Sequence, residues 1–222
     1  MAENKTPSDI ERASMRIISE ELAGRGISLA EENAAVIRRV IHTTADFDFA
    51  DNLRFTEDAV KNGLAALSAG ATIVTDTNMA KAGVSQPGLT RLGGRALCYM
   101  AEPVIAALAK EQGSTRAAAA MAYAAEQHPG AIFAIGNAPT ALLKIADLIE
   151  AGLRPALVIG VPVGFVNVVE SKERIFSVCE EYGVPAIVAM GRKGGSTVAA
   201  AICNALIYSA TDMLDPASRG WN

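Results

Sequence analysis

The chain has 222 residues, of which 50% are hydrophobic, 5% aromatic and 20% charged, and its formal net charge is −4. This composition excludes a disordered chain, which has few apolar residues and a large charge imbalance. It also argues against nucleic acid or an anionic membrane as a partner, because the Lys and Arg residues form no dense stripe. We expect one α/β domain that spans residues 1–222.

The cellular compartment is predicted from what the chain lacks. Its N-terminus, MAENKTPSDIERAS, has no apolar signal-peptide core, and no apolar run is long enough to span a membrane, so we expect a cytoplasmic protein. Cys98, Cys179 and Cys203 are far apart, with no CxxC motif and no neighbouring histidine. We expect three reduced thiols in the core and no metal site.

The N-terminal part, residues 1–70, has the pattern of helices. Ser8 and Glu11 have the spacing of a capping box, and Ser28 and Glu31 repeat it before the next helical run. A third helical run follows and ends near Gly70. We therefore predict a helical N-terminal segment.

Residues 71–210 alternate short apolar runs with helical stretches, which predicts βαβ units and a mainly parallel central sheet flanked by helices. Nearly continuous apolar runs are typical of strands that are covered on both faces. Residues 211–222 are expected to form an irregular tail. The predicted strands are ATIVT from Ala71, RALCYM from Arg95, AIFAIG from Ala131, ALVIGV from Ala156 and AIVAMG from Ala186.

Glycine-rich loops follow the predicted strands, at the edge where parallel sheets bind ligands. They read GNAPT, GVPVGFVNVVESK and GRKGGST. Backbone amides in such loops suit carboxylate or phosphate oxygens, and three loops in succession indicate one large anionic ligand. A P-loop lysine next to Ser196 and a GxGxxG motif are both missing, which weakens the alternative of a nucleotide enzyme. Simple tight turns remain a further alternative for each loop.

His42 is the main candidate for catalysis. It lies in RRVIHTTADFDF, at the end of the second predicted helix and shortly before Asp46 and Asp48. The helix dipole and both carboxylates are expected to raise its pKa, which suits a general acid near neutral pH. A histidine that only caps the helix is the alternative. His128, in EQHPG, is interpreted as a turn residue.

Basic residues supply further candidates. Arg116 opens the helix in GSTRAAAA, where a cation opposes the helix dipole, so an anionic ligand would explain it. Arg192 lies in the last glycine loop. A solvated surface position is the alternative for both arginines, and also for Ser14 on the first helix.

Several of these segments together resemble the precorrin-8X methylmutase and cobalt-precorrin-8 methylmutase family. They are RVIHTTADFDF, GSTRAAAA, AIGNAPTAL, VPVGFVNVVESKE and GRKGGS, and with Ser14 they spread over nearly the whole chain. The resemblance implies a homodimeric α/β isomerase of cobalamin biosynthesis. Such an enzyme moves a methyl group from C11 to C12 of precorrin-8X or cobalt-precorrin-8 and gives hydrogenobyrinate or cobyrinate. A tetrapyrrole-binding protein that holds its product with little turnover is the alternative.

The resemblance also implies roles for individual residues. His42 corresponds to the family's general acid, and Ser14, Ser85 and Arg116 correspond to substrate contacts, although some relatives have threonine where this chain has Ser85. No cofactor is expected, and cobalt would arrive with the substrate; the HTTADFDF segment looks more like the cobalt-containing branch. From the glycine-rich loops and their motifs we add these substrate-binding candidates: Asn137, Gly164, Arg192, Gly194 and Gly195.

Overall fold

The structure is a computed structural model that describes residues 6–220. Its helices are α1 Pro7–Gly24, α2 Glu31–Thr44, α3 Phe49–Asn52, α4 Ala59–Ser68, α5 Asn78–Gly83, α6 Gln86–Arg91, α7 Pro103–Glu111, α8 Arg116–Gln127, α9 Pro139–Glu150, α10 Val168–Glu181 and α11 Ser196–Ala210. Its strands are β1 Leu53–Phe55, β2 Thr72–Thr75, β3 Arg95–Leu97, β4 Ile132–Ile135, β5 Leu157–Gly160 and β6 Ala186–Ala189. The predicted alternation of strands and helices is confirmed.

The strands form one sheet in the order β1-β6-β5-β4-β2-β3. All neighbouring pairs are parallel except β1 and β6, where Leu53 lies opposite Ala189 in an antiparallel pair. Every residue of β4, β5 and β6 is buried, as their continuous apolar runs predict. The sheet is therefore mainly parallel, as expected.

Helices cover both faces of the sheet. Successive side chains of a strand point to opposite faces, so Ile132 and Ala134 join a core under α1 to α6 and α11, whereas Phe133 and Ile135 join a core under α7 to α10. Because the strands are parallel, their carboxyl ends meet at one edge. The glycine-rich loops predicted from the sequence meet at this edge.

The N-cap of the first helix lies two residues before the predicted one. Thr6 is the N-cap, and Thr6 and Asp9 form the reciprocal capping box. Ser8 and Glu11 lie inside the helix and are buried, so the predicted capping box there is wrong. Pro7 explains the difference, because proline is favoured at the first helical position and places the cap just before it.

Three other local predictions are also corrected. Helix α2 has Ala30 at its N-cap and no side-chain cap, so Ser28 does not form a capping box. The N-terminal part also contains a strand, β1, whose three residues carry too little periodicity to be recognised. In the predicted tail, Pro216–Arg219 forms a 3-10 helix, and residues 221–222 lie outside the described residues.

The three thiols differ in burial. Cys179 and Cys203 are buried, and burial raises the pKa of each thiol to about 12, so both remain protonated at neutral pH. Cys98 is only partly buried, because β3 ends at Leu97, and its predicted place in the core is wrong. Between residues 6 and 220 we find no helix that could span a membrane, and no cluster of His, Cys, Asp and Glu that could hold a metal ion.

Candidate active site

His42 and Ser14 form a hydrogen-bonded pair between α2 and α1. His42 lies in the last turn of α2, and its Nδ1 is 2.8 Å from Ser14 Oγ on α1. Both side chains are partly buried. The structure therefore brings together two residues that are 28 positions apart in the chain.

A cleft of about 340 Å³ opens beside His42, between α2 and α11. A second depression of about 360 Å³ lies on the Ser14 side and is more apolar, with Ile17 and Phe47 in its wall. His42 lines both, so its ring is accessible from two directions. The main cleft is lined by Glu11, Arg39, Met79, Asn204, Tyr208 and Arg219, among others.

The pKa of His42 is lowered from its usual value of 6.5, opposite to the expectation from sequence. Burial is the largest cause, followed by the positive charge of Arg39; Glu11 raises the pKa, and Arg219 lowers it further. The aspartates that were expected to raise it bind elsewhere: Asp46 and Asp48 each accept a hydrogen bond of 2.6 Å from Lys193. His42 is therefore mostly neutral at pH 7 in the free protein.

A buried charge cluster forms the wall of the His42 cleft. Glu11 Oε1 lies 2.7 Å from Arg39 Nη1 and 2.6 Å from Arg219 Nη2. Both guanidinium groups also lie over the ring of Tyr208, at 5.3 and 4.5 Å from its centre. Burial alone would raise the pKa of Glu11, but the two arginines hold it below its usual value. Sequence reasoning missed this cluster because Glu11 and Arg219 are 208 residues apart.

A buried lysine on α10 binds the backbone of the loop after β6. Lys172 on α10 is completely buried, and its Nζ donates to the carbonyl oxygens of Gly191 and Lys193, both at 2.8 Å. Burial lowers the pKa of Lys172 to about 8. On the outer side of the same loop, the Lys193 side chain bridges to Asp46 and Asp48 beyond the His42 helix. This loop therefore connects α10 with the end of α2.

A buried aspartate already occupies the amides of the GNAPT loop. The Asp76 carboxylate, just after β2, accepts hydrogen bonds from the backbone N–H groups of Gly136, Asn137 and Ala138 at 2.8, 2.8 and 2.7 Å. Burial nevertheless raises the pKa of Asp76. Asp76 thus balances the partial positive charge at the N-terminus of α9. In the sequence, the signal for this contact is an aspartate directly after a predicted parallel strand.

Known proteins resemble this chain over most of its length. A family model described as Precorrin-8X methylmutase matches residues 9–209. The chain belongs to the precorrin-8X methylmutase family. The chain is accordingly an isomerase of cobalamin biosynthesis, as the sequence resemblance implied.

Individual relatives support this membership. The chain is 47% identical to a cobalt-precorrin-8 methylmutase of Salmonella typhimurium, over 78% of this chain and 80% of the relative. It is 42% identical to a precorrin-8X methylmutase of Pseudomonas aeruginosa, over 89% of this chain and 93% of the relative. A solved precorrin-8X methylmutase from Thermus thermophilus superposes with a TM-score of 0.81 at 43% identity, covering 91% of this chain and 98% of that one.

The other predicted substrate contacts of this family member, Ser85 and Arg116, lie in different parts of the structure. Ser85 caps α6 by accepting from Gly88 N–H, and its own N–H donates to Asn204 Oδ1 at 2.7 Å. Because Asn204 lines the His42 cleft, Ser85 lies directly behind its wall. Arg116 is exposed at the start of α8, in the helix layer on the other face of the sheet.

Two of the glycine amides that were expected to face a ligand are bonded within the protein. Gly164 N–H donates to Arg192 O, and Gly195 N–H donates to Val161 O. Gly194 is required by packing, because a Cβ there would lie 2.2 Å from Val161 O. The exposed Arg192 side chain lies over the ring of Phe165, 5.5 Å from its centre. The roles of these residues in substrate binding stay predictions.

Proposed function

We propose that this isomerase moves the methyl group of precorrin-8X, or of its cobalt form, from C11 to C12, with His42 as the general acid. The observation that supports this is the His42–Ser14 pair, which lies between two depressions in a chain of the methylmutase family. The proposed reaction needs no redox cofactor, because a methyl migration within one molecule consumes no electrons and no second substrate.

The hydrogen bond to Ser14 supports different tasks for the two ring nitrogens of His42. Nδ1 is bonded to the Ser14 hydroxyl, which leaves Nε2 to exchange a proton with the macrocycle. His42 is mostly neutral in the free protein because burial and Arg39 lower its pKa. Substrate carboxylates bound beside it would raise that pKa and load the imidazole with a proton. His42 then protonates the region of ring C, the methyl group migrates, and the proton returns to His42.

We further propose that cobalt, where present, is bound by the substrate and not by the protein. Similar proteins carry both names, cobalt-precorrin-8 methylmutase and precorrin-8X methylmutase. From the HTTADFDF segment we favour cobalt-precorrin-8 for this chain. Turnover of both forms by the same preparation, compared as kcat/KM, tests that preference.

The decisive experiment compares His42→Ala with His128→Gln as a matched control, since these are the two histidines of the chain. With substrate in large excess, we expect His42→Ala to lower kcat by about 100-fold or more. The control should stay close to the native rate. The visible absorption of the macrocycle reports conversion. If His42→Ala converts substrate at the native rate, the general-acid role is wrong.

The same assay separates the isomerase from a protein that only holds its product. An isomerase continues through many turnovers, whereas a holder stops near one equivalent of product per protein chain because release is slow. Continued linear product formation beyond several equivalents would exclude the holder.

A further inference from the structure

Lys172 is a buried cation that the proposed mechanism does not use. It has no exposed surface, and none of the ion pairs in residues 6–220 includes it. Taking a charge out of water without a counter-ion is costly, so the Lys172 ammonium needs hydrogen-bond acceptors inside the protein. Its acceptors are two backbone carbonyl groups, those of Gly191 and Lys193.

These two hydrogen bonds fix the direction of two peptide groups. In a trans peptide the C=O and the following N–H point to opposite sides. Because the carbonyls of Gly191 and Lys193 point down to Lys172, the N–H groups of Arg192 and Gly194 point away from it. Gly191, Arg192 and Lys193 are exposed and Gly194 is partly exposed, so this loop borders solvent.

Neither of these two N–H groups has an acceptor within the part of the chain that the structure describes. The neighbouring glycine loop differs, because the Asp76 carboxylate has already taken its amides. The loop after β6 therefore offers what the GNAPT loop does not: outward amides with a positive charge behind them. Successive outward amides of this kind bind anions.

We infer that Lys172 is a positioning residue that turns the Arg192 and Gly194 amides outward to bind one carboxylate side chain of the corrinoid substrate. This deepens the proposed function and rests on it for the identity of the ligand. The loop is tied to the His42 end of α2 through Lys193, which contacts Asp46 and Asp48. A carboxylate held here would anchor one edge of the macrocycle relative to His42.

Gly194 allows the loop after β6 to pack closely against the chain that follows β5. A Cβ at this position would lie 2.2 Å from Val161 O and 2.8 Å from Pro162 O, so the loop is seated directly on the chain that leaves β5. Gly195 N–H donates to Val161 O at 2.8 Å and holds it there. The loop is thus fixed by backbone contacts on one side and by Lys172 below, which leaves its outward amides little freedom to reorient.

The test replaces Lys172 with Met, which keeps the length of the side chain and removes the charge and both hydrogen bonds. The matched control is Lys144→Met, because Lys144 is a partly exposed lysine on α9. We expect Lys172→Met to weaken binding of cobyrinic acid about tenfold or more and to raise KM, while kcat at saturation changes little. Binding is followed by the change in visible absorption, and folding by thermal unfolding.

A purely structural lysine gives a different result. Lys172→Met would then lower the unfolding temperature, but the folded protein would bind cobyrinic acid as the native protein does, and this outcome would overturn the inference. A second measurement needs no variant. In the native protein the amide protons of Arg192 and Gly194 should move downfield when cobyrinic acid is added, and unchanged shifts at saturation would also overturn it.

The outcome is separable from that of the catalytic proposal. Binding of cobyrinic acid does not require turnover, so it can be measured in His42→Ala as well as in the native chain. Normal turnover by His42→Ala would remove the general acid and leave the Lys172 result standing. Native affinity in Lys172→Met would remove the positioning role and leave His42 in place.

Discussion

At the scale of single residues, burial and close neighbours decide the chemistry of His42 more than its place in the helix does. The C-terminal end of a helix favours a charged imidazole by a modest amount within the last turn. Burial and the positive charges of Arg39 and Arg219 lower the pKa of His42, whereas the negative charge of Glu11 raises it. The aspartates that follow in sequence are bonded to Lys193 and contribute little.

The pKa of His42 can be measured directly. In His128→Gln, where His42 is the remaining histidine, NMR titration of its ring protons should give a midpoint below 6.5. A lowered pKa means that the unfolded chain binds more protons, so His42 should stabilise the fold above pH 6.5 and lose that contribution as the pH falls. A midpoint above 6.5 would restore the expectation from the helix dipole and the two aspartates.

At the scale of elements, local signals located most of the helices and strands, and single side chains join them. The end of β2 is joined to the start of α9 through the Asp76 carboxylate. A helix N-terminus favours a negative charge, which explains why this carboxylate tolerates its buried position. The α9 end is thereby fixed to the sheet, next to the loop that Lys172 shapes.

Replacing Asp76 with Asn tests this connection. An amide offers one oxygen and directs an NH2 donor at a backbone N–H, so at least one buried hydrogen bond is lost. We expect the free energy of unfolding to fall by about 2–4 kcal/mol in urea denaturation. Asp147→Asn on the exposed side of α9 is the control, and it should cost under about 1 kcal/mol. Equal stability of the two variants would contradict the role of Asp76.

At the scale of the whole molecule, the candidate residues lie on both faces of the sheet. His42 and Ser14 belong to the layer that contains α1, α2 and α11, whereas Arg116 begins α8 in the opposite layer. From the family resemblance we propose a homodimer with shared sites, which would place Arg116 of one subunit beside substrate held at His42 of the other. Such an arrangement would give an exposed arginine a reason to oppose its own helix dipole.

Subunit mixing tests the shared site. His42→Ala and Arg116→Ala are each expected to be nearly inactive, but a heterodimer of the two would contain one intact site. After complete subunit exchange, half of the dimers are mixed, so activity should recover to about a quarter of the native value. Exchange is verified by mass spectrometry of differently tagged chains. No recovery after verified exchange would contradict a site shared in this way.

The sequence by itself determined the parallel α/β layout and the family, and it selected His42 as the candidate for catalysis. Continuous apolar runs, helical periodicity and glycine-rich loops are short-range signals. They predict local structure from sequence because each depends on neighbours within a few positions. The short strand β1 and the true cap at Thr6 escaped because three residues, or one proline, carry little of that signal.

Only the tertiary structure decided how the site behaves. The Ser14–His42 pair, the Glu11 cluster, the Lys193 bridge and the Asp76 bonds join residues that are 28 to 208 positions apart. Electrostatic effects depend on distance in space and on burial, neither of which is written in the spacing of residues along the chain. For that reason the sequence could select His42, but only the folded chain shows that its pKa falls and that its aspartates hold Lys193 instead.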